Sequence, residues 1–117
     1  MGLKISFFRG DYFEYNFRII DDDCSNIQLG ESDNIIFSAK TRCGASDYVL
    51  QKQLNEGIKW DEEKRCYTIQ FNHLDTKSLR AQTYAFDIVV IYEGVMPETH
   101  TGELILLPDV TRNEVSE

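Results

Sequence analysis

Cys66, His73 and His100 are the residues whose types could support nucleophilic chemistry in this chain. A thiol or hydroxyl nucleophile needs an imidazole within hydrogen-bonding reach to take its proton. His73 and His100 are the only histidines, so a Cys–His or Ser–His–Asp unit must use one of them. Cys66 precedes His73 closely, but a strand carries sequence neighbours apart, and no spacing ties the two together. A histidine metal site needs further ligands at fixed intervals, and none occur. Cys24, Cys43 and Cys66 lack CxxC pairing. They leave two readings: a disulfide from Cys24 or Cys43 to Cys66, or reduced thiols, of which reduced thiols are expected. With 20 acidic residues, adjacent carboxylates such as Asp22/Asp23 and Glu62/Glu63 arise without a glycosidase role. The Asp21–Asp23 run lacks the DxDxDG spacing of a calcium loop, and no glycine-rich phosphate loop is present. Trp60, Tyr48 and Tyr67 have the chemistry to stack on sugar rings if they share one exposed plane, and equally the chemistry of a core. The expectation is a chain with no catalytic residues, no cofactor and no metal.

These residues sit on a pattern of short strands. Tyr84, Phe86, Ile88, Val90 and Tyr92 alternate with a two-residue period, and Val89 and Ile91 thicken the other face. Leu3 to Phe8 reads as a first strand, followed by an Arg9-Gly10-Asp11 turn. Tyr12 to Ile20 alternates, with Phe13, Tyr15, Phe17 and Ile19 on one face. Ile27 and Leu29 read as anchors of a loop. Strands are expected at Asn34 to Lys40, Tyr48 to Leu54, around Ile58 and Trp60, at Cys66 to Phe71, and at Glu98 to Leu107. A charged tip at Asp61 to Arg65 joins two of them. The segment from His73 to Leu79 is a polar bridge, with Asp75 as its N-cap. Turn signals recur roughly every 8–12 residues, and no long amphipathic helix appears. The fold class is therefore all-β, an immunoglobulin-like antiparallel β-sandwich of seven to eight short strands. Tyr84 leaves two readings: a tyrosine corner, its hydroxyl bonding backbone near Thr76 or Leu79, or an aromatic at the rim of the core.

The chain has 117 residues, enough for one domain, and no linker divides it. A single domain over 1–112 with a polar tail over 113–117 is expected. The net charge of −8 opposes binding to a nucleic-acid backbone or an anionic membrane, since both demand clustered Lys and Arg. No apolar run approaches the ~18 residues of a membrane span, and the first residues do not form a secretion signal.

The order of several short motifs carries a resemblance. Phe8-Arg9-Gly10-Asp11-Tyr12-Phe13 comes first, then Asn34-Ile35-Ile36-Phe37-Ser38-Ala39-Lys40. Leu74-Asp75-Thr76-Lys77-Ser78-Leu79, Tyr84-Ala85-Phe86-Asp87-Ile88, Gly102-Glu103-Leu104 and Asp109-Val110-Thr111 follow. Over nearly its whole length the chain resembles the small immunoglobulin-like domains of tailed-phage and prophage structural proteins, including the N-terminal domain of baseplate upper proteins. The resemblance implies a virion or assembly role without catalysis, with other virion proteins or copies of the chain as partners. It implies location in the virion, or in the host cytoplasm before assembly. It assigns Gly10 and Asp11 to a tight turn and Asp75 to the cap before Tyr84. The family's following fibre region does not appear within these residues. The edge strands offered for docking are Leu3–Phe8 and Glu98–Leu107. Two other functions stay open: a carbohydrate-binding or adhesin-type module using Trp60 with Tyr48 or Tyr67, and a small enzyme or inhibitor using His73 or His100 beside Cys66.

Overall fold

The computed structural model describes residues 3–20, 26–30, 33–42, 47–92 and 97–108. Cys24, Cys43, the acidic run at 21–23, the Asp109-Val110-Thr111 motif and the polar tail lie outside the described residues. Among the described residues ten strands and one helical turn occur in the order β1 Leu3–Phe8, β2 Phe13–Phe17, β3 Ile19–Ile20, β4 Asn26–Ile27, β5 Asn34–Lys40, β6 Tyr48–Leu54, β7 Gly57–Asp61, β8 Cys66–Phe71, α1 His73–Thr76, β9 Thr83–Ile91 and β10 Glu98–Leu107. The chain is all-β, as its alternation predicts. The strand count exceeds the seven to eight expected, because the pattern from Tyr12 to Ile20 breaks at Arg18. Ile19–Ile20 leaves to pair with Asn26–Ile27, which is a strand and not only a loop anchor.

Eight strands form one sheet in the order β1-β10-β9-β5-β6-β7-β8-β2. Two of its pairings are parallel, which corrects the expectation of a purely antiparallel arrangement. The first strand runs parallel to the last, Leu3 opposite Gly102 and Phe8 opposite Leu107. Strand alternation fixes which face a side chain occupies, but it is silent on the direction of a partner from the other end of the chain. The second parallel pair, β6 with β7, is held only at Gln53 with Gly57 and Leu54 with Ile58. Between them Asn55 (φ 71°) and Gly57 (φ 101°) take left-handed backbone conformations, which asparagine and glycine tolerate best. The chain makes a tight loop there and continues in its former direction.

This weak junction lets the sheet fold over. Phe37 on β5 meets Phe71 on β8 edge-on, with ring centroids 5.5 Å apart, although the two strands are not neighbours. The inward residues of β1, β5, β7, β8, β9 and β10 form one core in which Ile35, Phe37, Ile58, Ile69, Phe71 and Leu104 are wholly buried. Burying a side chain of this size stabilises a fold by about 1.5–3 kcal/mol before entropy is counted. The two edge strands, β1 and β2, are joined by the turn at Arg9–Tyr12, so the sheet comes round almost to its start. Phe7 stacks on Phe13 across that gap at 4.8 Å. β10 lies between β1 and β9 from Gly102 to Leu107, so of the two docking edges expected from sequence β1 is an edge, while Glu98–Leu107 is covered over that stretch and β1 does not reach Glu98–Thr101; the other edge is β2.

Candidate functional site

The turn from β1 to β2 is clamped to the segment between β8 and β9. Gly10 has φ 85°, a conformation that favours glycine. Its buried N–H donates to Thr76 Oγ1 at 2.8 Å, and its carbonyl accepts from His73 Nδ1 at 3.1 Å. The Arg9 guanidinium donates to the Leu79 carbonyl at 3.1 Å. Asp11 closes the turn through its own N–H, which donates to the Phe8 carbonyl at 3.1 Å. His73 thus serves as a fastener with one ring nitrogen directed at backbone. Cys66 starts β8 and His73 lies two residues past its end, and the five strand steps of about 3.3 Å from Cys66 to Phe71 alone span about 16 Å. Cys66 is buried, and His100 sits exposed on β10, a strand that does not neighbour β8, with Glu98 Oε1 at 3.8 Å. No Cys–His unit is assembled among these residues.

Asp75 is not the helix N-cap. Asn72 holds that position, its side chain accepting from the Leu74 and Asp75 N–H groups, while Asp75 reaches back to the Asn72 N–H at 2.8 Å. This reciprocal pair is a capping box, for which an acidic residue at the third helical position is suited. The Asn72-to-Asp75 spacing was legible and points to Asn72. Asp75 also ties the helical turn to β6, because its Oδ2 accepts from Lys52 Nζ at 2.6 Å in a pair whose side chains are mostly buried. Tyr84 is buried at the start of β9 and donates to the Arg80 carbonyl at 2.7 Å, just past the expected Leu79. Burial pushes its phenol pKa up, partly offset by that hydrogen bond and the nearby Arg80 and Arg9 charges.

The three aromatic residues singled out for sugar stacking do not share a plane. Tyr67 is 1% exposed, with its hydroxyl accepting from the Leu29 N–H at 2.6 Å. Burial raises its pKa as well. Tyr48 is exposed at the end of β6 remote from the β7 junction. Trp60 stands at 65° to Tyr67, with centroids 5.0 Å apart.

The described residues border at least two concavities. The larger, of about 310 Å³, opens between the far ends of β1 and β2, where Leu3, Tyr15, Phe17, Ile20 and Val90 line it and Arg18, Glu98 and His100 stand at its polar positions. Core-facing Phe13, Tyr15 and Phe17 are only half-buried along this seam, whereas core-facing side chains of β5 and β8 are fully covered. The smaller, of about 270 Å³, is bordered by Trp60, Tyr67, Leu54, Asn55 and the segment Gln28–Gly30. Among the described residues no buried side-chain polar atom lacks a hydrogen-bond partner, and no group of three or more His, Cys, Asp or Glu is placed to hold a metal ion. No described helix is long and apolar enough to cross a membrane. Comparison of the chain with protein-family models, with curated proteins and with solved structures finds no match.

Proposed function

We propose that the chain is an immunoglobulin-like β-sandwich acting as a non-catalytic structural or assembly module of a tailed phage or prophage, through protein–protein contact. Three features support the sandwich: Phe7 of β1 and Phe37 of β5 meet Phe71 of the non-neighbouring β8 across the core, the first strand lies parallel beside the last, and Tyr84 bonds back to Arg80 at the β8–β9 corner. A tyrosine near the start of the penultimate strand, bonded to backbone just upstream, is a hallmark of that architecture. The order of motifs from Gly10-Asp11 to Gly102-Glu103-Leu104 supports the phage reading. Partners are other virion proteins or further copies of the chain, met in the host cytoplasm before assembly or within the virion. The charge of −8 supports protein over nucleic acid or membrane as partner.

The observation that carries the contact reading is the open seam. Among the described residues β1 and β2 each present a strand edge that pairs with no further strand, and half-buried aromatic residues lie between them. Such edges bind extended or edge-on polypeptide through main-chain hydrogen bonds. Light scattering on a sizing column, over a wide concentration range, tests it. The expected result is a discrete oligomer that Ile20→Lys dissociates, since Ile20 is 56% exposed and lines the seam without supporting the core. A strict monomer at every concentration counts against self-assembly, and an oligomer indifferent to Ile20→Lys moves the contact away from the seam.

A further inference from the structure

We propose that the smaller cleft, beside Trp60, binds one ring of a neutral carbohydrate. Its walls are held in place before any ligand arrives. Glu62 accepts from the Trp60 indole N–H at 2.7 Å through Oε1 and from Arg65 at 3.1 Å through Oε2, and the Arg65 guanidinium lies 5.6 Å from the indole centroid. On the other side, the Tyr67 hydroxyl pins the Leu29 N–H, and Asp33 accepts the Gly30 N–H at 2.7 Å. An aromatic wall fixed by packing and hydrogen bonds costs little entropy on binding.

The polar groups match the ligand. Among the described residues, the side-chain amides without an intramolecular hydrogen bond are those of Gln28, Asn55 and Gln82, and the first two border this cleft. An amide both donates and accepts, which suits adjacent hydroxyls that do the same. The apolar flank of a pyranose ring would rest on Trp60 and Leu54. Among the described residues no Asp, Glu, Lys or Arg lines the cleft, and the raised pKa of Tyr67 keeps its phenol neutral. The charged groups nearest the cleft, Arg65, Glu62 and Asp33, are engaged in the hydrogen bonds just described, so none of them is left to pair with a charged ligand. Trp60 and Tyr67 meet at 65°, so they form no parallel slot for a flat heterocycle. The volume, about 270 Å³, falls just under the range of roughly 300–1,000 Å³ for drug-sized pockets and suits a single ring.

Trp60 is the only tryptophan, so the emission of the intact chain reports on this cleft alone. It is titrated with glucose, galactose, mannose and N-acetylglucosamine, and with N-acetylneuraminate as an anionic comparison. A saturable change with at least one neutral sugar is expected, with none for the anion. Gln28→Ala weakens that sugar by about tenfold, equivalent to about 1.4 kcal/mol. Asn55→Gly, which keeps the left-handed backbone accessible, weakens it similarly. Absence of a saturable response to every neutral sugar overturns the proposal. So does a response unchanged in both variants, or an equal response to the anion.

Discussion

His73, Thr76 and Arg9 join the β1–β2 turn to the β8–β9 crossover, and none of them does so through a feature that composition displays. Thr76 is wholly buried and is the acceptor for the buried Gly10 N–H. Thr76→Val keeps the shape and removes the acceptor, leaving that N–H unpaired, at a cost of about 1–3 kcal/mol. Urea unfolding measures it. A loss under a few tenths would mean that water reaches Gly10. The histidine's role was hidden because its partner, the Gly10 carbonyl, lies far away in sequence and belongs to backbone. The glycine itself was legible, since the turn needs a positive φ. Tyr67 and Tyr84 carry the pH dependence at this scale. Burial is the chief cause of both raised pKa values, so the native phenols hold their protons longer than those of the unfolded chain. Above the ordinary phenol pKa of about 10 the unfolded state binds fewer protons, and stability falls as pH rises through the native values. Urea midpoints compared on either side of that value are expected to drop in the parent and to drop less in Tyr84→Phe. An equal drop in both removes Tyr84 from the effect.

Gly102 shows what an element needs beyond its alternation. A Cβ at this position would lie 2.5 Å from the Leu3 carbonyl oxygen and 2.6 Å from the Phe86 ring. The first contact is with backbone, so β1 itself must move. Gly102→Ala is expected to cost about 1–3 kcal/mol. It also frees β1 first, visible as faster amide exchange from Leu3 to Phe8 than in the rest of the sheet. Exchange that speeds up uniformly would sink the local explanation. Gly57 makes a related demand at the other weak junction. Its φ is 101°, and an added Cβ would meet the Lys52 stem at 2.4 Å, a stem anchored by the Lys52–Asp75 pair. Strand positions were legible at Leu3–Phe8, Asn34–Lys40, Cys66–Phe71 and Glu98–Leu107, because each is a local alternation over one buried face. The parallel partner of β1, the corner at Asn55–Gly57 and the β3–β4 pair were not. Each depends on which remote segment arrives alongside, and a two-residue strand such as Ile19–Ile20 is too short to show a period.

At the scale of the molecule, the sheet wraps one core yet stops short of closing. The two ends of the wrap differ in a way that mutation can read. Phe37 is wholly buried and touches Phe71 and Phe86, rings from both sides of the fold-over. Phe13 is half-buried at the seam, stacked on Phe7 alone among the described rings. The smaller cleft could not be seen in the sequence because Trp60 and Asn55 share one turn-and-strand stretch, whereas Gln28 comes from a remote segment that only the fold brings beside them. Trp60 itself was legible as an aromatic worth following, whereas its companions Tyr48 and Tyr67 were not separable from it by residue type. If the wrap is open at β1–β2, truncating the two phenylalanines has unequal consequences. Phe37→Ala leaves a cavity with no route for solvent or collapse and is expected to cost about 3–5 kcal/mol. Phe13→Ala removes a ring that water already reaches, so less transfer energy is lost and the seam relaxes around it. A cost well under that of Phe37→Ala is expected, with an unchanged denaturant slope, since the same surface unfolds. Equal costs would mean that the seam is as tightly sealed as the centre of the core. The edges of β1 and β2 would then have no opening through which a partner's side chains could reach the aromatic residues between them.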